Sequence, residues 1–94
     1  MQVEFDIKYL RSRRKVAKKI SLKAIEETEE LFKIDPNSQK LNLKKIVCRR
    51  DKNKQSIRVI GNDGYRILLT TKNDIVIFQD IMNHDKYDRL TKDC

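Results

Sequence analysis

Ninety-four residues suffice for one domain with a modest core, not for two. Hydrophobic residues make up 38% of the chain in locally periodic runs, which excludes a disordered polypeptide. The formal net charge of +8 points to a polyanionic partner, most simply nucleic acid; an acidic protein or an anionic membrane surface satisfies the same charge.

The start, Met1-Gln2-Val3-Glu4-Phe5-Asp6, has no cationic segment followed by an apolar stretch, so it does not read as a secretory signal. The longest apolar run, Ile75 to Phe78, is too short to span a bilayer, and a cytoplasmic protein is expected. Cys48 and Cys94 lack zinc-ligand spacing, and the single histidine cannot complete a site with them. No metal and no cofactor are expected. The two cysteines read as free thiols, with a disulfide as the alternative.

In chain order, Val3 to Tyr9 alternates strictly and reads as a first strand, with Val3, Phe5, Ile7 and Tyr9 on one face. From Leu10 the period lengthens. Val16, Ala17 and Ile20 form a narrow apolar stripe among arginines and lysines, the pattern of a basic amphipathic helix. Ser21 is placed to cap a second helix, with Leu22, Ala24, Ile25, Leu31 and Phe32 inward and Glu26, Glu27, Glu29 and Glu30 outward. Asp35-Pro36-Asn37 ends it.

Leu41 to Arg50 then reads as a strand centred on Lys44 to Arg49, followed by a charged turn from Arg49 to Lys54. Between Lys40 and Arg66 nine lysines or arginines face only Asp51 and Asp63, the most positive part of the sheet region. Ile57 to Val59 and Tyr65 to Leu69 are strands joined across Gly61-Asn62-Asp63-Gly64. A three-residue loop with Gly64 in the left-handed conformation would pair Val59 with Ile67 and Ile57 with Leu69. It would also set Arg58 and Arg66 together on the opposite face. A two-residue loop would split the arginines between faces, because a one-residue slip reverses a strand. The three-residue loop is preferred because it buries the aliphatics together. Ile75 to Phe78 is the most apolar strand, expected to be well covered. The sum is a single α+β domain over residues 1–94: an N-terminal strand, a two-helix hairpin, a three- to four-stranded antiparallel meander and a short C-terminal tail or helix.

This order, with Ile57-Arg58-Val59, Gly64-Tyr65-Arg66-Ile67 and the closing run His84-Asp85-Lys86-Tyr87-Asp88-Arg89, resembles the RelE/ParE toxin superfamily. The closing run is most similar to that of its HigB-like branch. The resemblance implies a type II toxin: an endoribonuclease that cuts translated mRNA on the ribosome and arrests growth. It also implies a cognate antitoxin, HigA- or RelB-like, held in a toxin–antitoxin hetero-oligomer.

Metal-free RNA cleavage needs a base near the attacking 2′-hydroxyl, an acid near the leaving oxygen, and cations around the phosphate. Arg58 and Arg66 suit the last task, being permanently charged and able to grip phosphate bidentately. By resemblance, Arg66 is the family's arginine after Gly-Tyr, and Arg58 sits at a commonly basic strand position. His84, the sole histidine, is the candidate proton-transfer residue, as base or acid. Tyr87 matches the family's closing tyrosine, placed to stack on a base or steer the 2′-hydroxyl. Lys52, Lys54, Arg49 and Arg50 are candidates for neighbouring RNA phosphates. Asp85 or Asp88 is placed to orient His84. The chain departs from the best-known RelE pattern at Ser56, where that subgroup carries a strand lysine, which favours a histidine-assisted mechanism. Two further readings are a ParE-like poison of DNA gyrase, which binds without catalysis, and a non-catalytic basic RNA- or protein-binding module.

Overall fold

In the computed structural model, which describes residues 2–92 and residue 94, five strands form one mixed sheet in the order β1-β5-β4-β3-β2. The strands are β1 (Gln2–Phe5), β2 (Lys44–Lys45), β3 (Gln55–Val59), β4 (Asn62–Lys72) and β5 (Ile75–Asn83). The helices are α1 (Ile7–Val16) and α2 (Leu22–Ile34) between the first two strands, and α3 (His84–Lys92) after the last. The α+β class and element order match the sequence reading. One pairing is outside an antiparallel meander: β1 runs parallel to β5, with Val3 opposite Val76 and Phe5 opposite Phe78. No helix among the described residues is long and apolar enough to cross a membrane.

The first strand is shorter than its alternation suggests. It stops at Phe5, and Asp6 caps α1 by accepting a hydrogen bond from the Lys8 amide at 2.9 Å. Tyr9 is therefore a helical residue, fully buried. Its ring meets Phe5 and Phe78 at centroid separations of 5.1 and 5.4 Å, and Phe32 of α2 meets Phe78 at 5.3 Å. These rings join Ile25, Ile57, Ile67, Leu69 and Ile81 in the main core, on the face of the sheet covered by α1 and α2.

Ser21 stands at the N-cap of α2 without a side-chain cap hydrogen bond, and the helix ends at Asp35. Ala24, Ile25, Leu31 and Phe32 pack inward as expected, but Leu22 is exposed. Glu29, expected outward, is buried. It receives the Tyr9 hydroxyl at 2.6 Å and two hydrogen bonds from the Arg13 guanidinium at 2.7 and 3.0 Å, which fasten α1 to α2. Burial pushes the Tyr9 phenol well above the usual tyrosine range, and the Glu29 carboxylate beside it pushes the same way.

The β3–β4 connection differs from the expected loop. The chain turns at Ile60-Gly61, with Gly61 at φ 73°, and Val59 pairs with Asn62. Pairing then resumes with Arg58 opposite Arg66, Ile57 opposite Ile67 and Ser56 opposite Leu68. The intervening residues of β4 form a bulge that restores the parity a two-residue turn would have broken. The aliphatic and arginine faces are those expected, but the partners are shifted: Ile57 meets Ile67, not Leu69. The β4–β5 turn uses Asn73 and Asp74, both left-handed at φ 51° and 67°.

The predicted strand over Leu41 to Arg50 contracts to Lys44–Lys45, opposite Ser56 and Gln55, and the Ile46 amide makes one further bond to the Lys54 carbonyl at 2.9 Å. Cys48 and Cys94 form a disulfide, with a Cα–Cα separation of 4.7 Å, and are not free thiols. A second apolar cluster surrounds this bond on the opposite face of the sheet: Ile46, Cys48, Leu68 and Met82, with Tyr87 and Cys94 packed against them.

Candidate functional site

Alternation along β3 and β4 turns Ser56, Arg58, Arg66 and Leu68 to the face away from α1 and α2. The bulge brings Arg58 and Arg66 directly opposite one another, where two guanidinium groups share one side of the hairpin. The Leu41 carbonyl fixes the Arg58 backbone by accepting from its amide at 2.7 Å. Both arginines are partly buried. The Arg66 guanidinium also donates to the Tyr65 carbonyl at 3.1 Å.

The other half of the site comes from α3. Asn83, the last residue of β5, accepts from the Lys86 amide at 2.9 Å through its side chain, which starts the helix at His84. Helical spacing then places His84, Tyr87 and Asp88 as neighbours. The His84 and Tyr87 rings lie 6.5 Å apart and 28° from parallel. Asp88 Oδ2 approaches His84 Nδ1 at 3.3 Å, so Asp88 is the acid that faces the imidazole. His84 itself is exposed.

Two contacts join the halves. The Arg66 guanidinium lies over the Tyr87 ring, 5.9 Å from its centroid. The Tyr87 hydroxyl shares a hydrogen bond of 2.9 Å with Ser56 Oγ, and Ser56 is only 1% exposed. Ser56 was legible only as a departure from a lysine. A small polar residue on the arginine-bearing face of a strand was the signal that a partner would come from elsewhere in the chain.

The four flanking cations are dispersed. Arg50 and Lys54 line a cleft of about 720 Å³ floored by Leu68 and Thr70 and walled by Arg89 of α3. Lys54 Nζ donates to Gln79 Oε1 at 3.2 Å. Lys52 lies in a separate hollow of about 180 Å³ beside Lys45 and Gln55. Arg49 is exposed and lines neither. Asp80 is a buried carboxylate on the wall of the larger cleft. It accepts from the Ile81 amide at 2.9 Å and faces Lys8 Nζ at 3.5 Å. Among the described residues no group of histidines, cysteines and carboxylates is placed to hold a metal ion.

No family model matches the chain, and no curated protein sequence does. Solved structures do. In the E. coli DinJ–YafQ toxin–antitoxin complex, the matched chain has a TM-score of 0.71 at 12% identity, over 90% of this chain and 93% of that one. The archaeal RelE–RelB complex from Pyrococcus horikoshii OT3 gives a TM-score of 0.66 at 12% identity, over 88% and 93%. The YoeB dimer from Staphylococcus aureus gives 0.66 at 14% identity, over 89% and 97%. Sequence identity this low carries the architecture alone: the chain has the fold shared by the YafQ, RelE and YoeB chains.

Proposed function

We propose that this chain is the toxin of a toxin–antitoxin pair and an endoribonuclease that cuts translated mRNA on the ribosome. The observation that carries the reading is the meeting of Arg58 and Arg66 with Tyr87 and His84 on one face of the sheet. A scissile phosphate held by the two guanidinium groups gains charge as the 2′-oxygen attacks, and fixed cations stabilise that charge without reorganising. The 2′-hydroxyl must lose a proton and the 5′-oxygen must gain one. His84, oriented by Asp88, serves one of these transfers at the edge of the site. Tyr87, its ring held by Arg66 and its hydroxyl by Ser56, presents a flat face to a base or steers the attacking ribose. The step draws on side chains alone and invokes no metal. Arg50 and Lys54, beside the site, attract the flanking phosphates.

The closing run from His84 to Arg89 supports a place in the HigB-like branch. A protein of this activity requires silencing. The net charge of +8 favours an antitoxin whose acidic amphipathic segment covers the Arg58/Arg66 face or wraps the first two helices.

The test is brief induction of the native chain beside Arg66→Ala and His84→Ala, with transcript 5′ ends mapped within minutes. New ends inside translated codons, absent with both variants, are the expected result. Growth arrest without new ends, accompanied by stalled gyrase cleavage complexes, would replace this reading with gyrase poisoning.

A further inference from the structure

The helix that carries His84 and Tyr87 is held to the sheet by little. No residue of α3 is buried, and its hydrogen bonds to itself cannot sustain it: nine residues are fewer than an isolated helix needs in water. Leu90 is 40% exposed, and Asp85, Lys86, Asp88 and Arg89 face solvent. Its attachment rests on Tyr87, through the second apolar cluster, the Ser56 hydroxyl and the Arg66 guanidinium. At the N-terminal end β5 fixes the helix, since Asn83 pairs with Tyr65. Beyond the C-terminal end the tie is covalent: Cys94 is bonded to Cys48, which precedes β3 and sits in the same apolar cluster that receives Tyr87.

We propose that the Cys48–Cys94 disulfide is a redox latch that docks α3, so that the Arg66–Tyr87–His84 arrangement is fully assembled only in the oxidised chain. The catalytic half of this inference rests on the endoribonuclease reading; the docking half does not. Opening the latch is thiol–disulfide exchange with a dithiol. One thiolate of the reductant attacks a sulfur of the pair and forms a mixed disulfide. Its second thiolate displaces the bound cysteine, so two electrons and two protons end on Cys48 and Cys94 while the reductant leaves as its own disulfide. With both thiols free, α3 loses its covalent tie and keeps, among the described residues, its junction with β5 at Asn83 and the non-covalent contacts centred on Tyr87, and local opening becomes easier. Cys48 and Cys94 are thus positioning residues, acting on the chemistry through Tyr87.

The experiment compares the full chain, oxidised and after dithiothreitol, by hydrogen exchange of the α3 amides and by cleavage of mRNA on purified ribosomes. Reduction is expected to speed α3 exchange at least tenfold while the amides of Leu69 and Phe78 keep their protection. It should slow cleavage by about tenfold, and re-oxidation should restore both. Cys94→Ala should behave as the reduced chain under either condition, and Cys48→Ala the same. Equal α3 exchange in the oxidised and reduced chains overturns the latch, whether or not RNA is cut. Cleavage in neither state, with α3 exchange still redox-dependent, overturns the endoribonuclease reading and leaves the latch standing.

Discussion

Ser56 Oγ and Tyr87 Oη lie 2.9 Å apart, joining a buried position of β3 to the half-exposed face of α3. The bond fixes the tilt of the Tyr87 ring and so the surface it shares with the Arg66 guanidinium. Ser56→Ala removes this partner and leaves the sheet's packing in place. The expected cost to stability is about 1 kcal/mol, the net worth of one such bond. Cleavage on ribosomes should fall several-fold through a looser ring. Urea denaturation beside a cleavage time course checks both, and an unchanged cleavage rate would remove Tyr87 orientation from the mechanism.

Arg66 separates charge from shape. Under the proposed mechanism Arg66→Ala deletes a phosphate-holding cation, and cleavage should fall by about a hundredfold to a thousandfold, the usual loss for one such group. Arg66→Lys keeps the charge and loses the planar fork over the ring, so it should recover only part of the rate. Since Arg66 is partly exposed, neither change should move the urea midpoint by more than the equivalent of about 1 kcal/mol. Native rates in Arg66→Ala would sink the phosphate-binding role.

The Tyr9–Glu29–Arg13 cluster predicts an alkaline limb of stability. The native phenol resists ionisation because it is buried and faces a carboxylate, so its proton is held well above the unfolded value. Its contribution is complete below about pH 10, where the unfolded tyrosine is also protonated. As pH rises past that point the unfolded chain loses a proton that the native chain keeps, and stability falls by about 1.4 kcal/mol per pH unit. Tyr9→Phe should flatten that slope while costing stability at neutral pH, because Glu29 loses a donor. Arg13→Ala leaves Glu29 buried with a single partner and should cost about 3 kcal/mol. Thermal melts of the three chains across neutral and alkaline pH test this, and parallel pH curves for native and Tyr9→Phe would refute it.

Two glycines of the β3–β4 hairpin should respond oppositely. Gly61 stands at φ 73° with open space around it, so Gly61→Ala meets no atom but adopts a strained backbone, costing about 1 kcal/mol. Gly64 has open space and no such φ, so Gly64→Ala should be neutral or stabilising by up to about 1 kcal/mol. Urea midpoints decide, and the reverse ranking would place the left-handed turn residue at Gly64, three residues along the chain.

That hairpin also marks where sequence reading works and where it stops. The alternation of Ile57, Val59, Ile67 and Leu69 gives the buried face directly, and with it the shared face of Arg58 and Arg66. The register was not legible, because Gly61 and Gly64 both offer a turn and the bulge that reconciles them is set by pairing along the whole sheet. Tyr9 was misassigned because alternation persists past Phe5, whereas Asp6, an N-capping residue, carried the true boundary. Glu29 and Cys48 were misread for a common reason. Their partners, Tyr9 and Arg13 in one case and Cys94 in the other, are far away in sequence, and no local period reports them. At the candidate site, His84, Tyr87 and the choice of Asp85 or Asp88 stand out in the closing run of the sequence, but that a helix makes His84, Tyr87 and Asp88 neighbours is seen only in the structure. The contacts that bring that helix to β3 and β4 were not legible either.

The parallel pairing of β1 with β5 has a consequence for biosynthesis. Gln2–Phe5 leave the ribosome early, yet their hydrogen-bonding partners, Ile75–Phe78, are made some seventy residues later. Closing so long a loop is slow, and it cannot begin before the partner strand is outside the exit tunnel. Until then the nascent chain holds an unpaired strand and an incomplete aromatic core, since Phe5 and Tyr9 wait for Phe78. Vectorial synthesis therefore separates making this polypeptide from completing its fold, and leaves an interval in which the sheet has not yet closed.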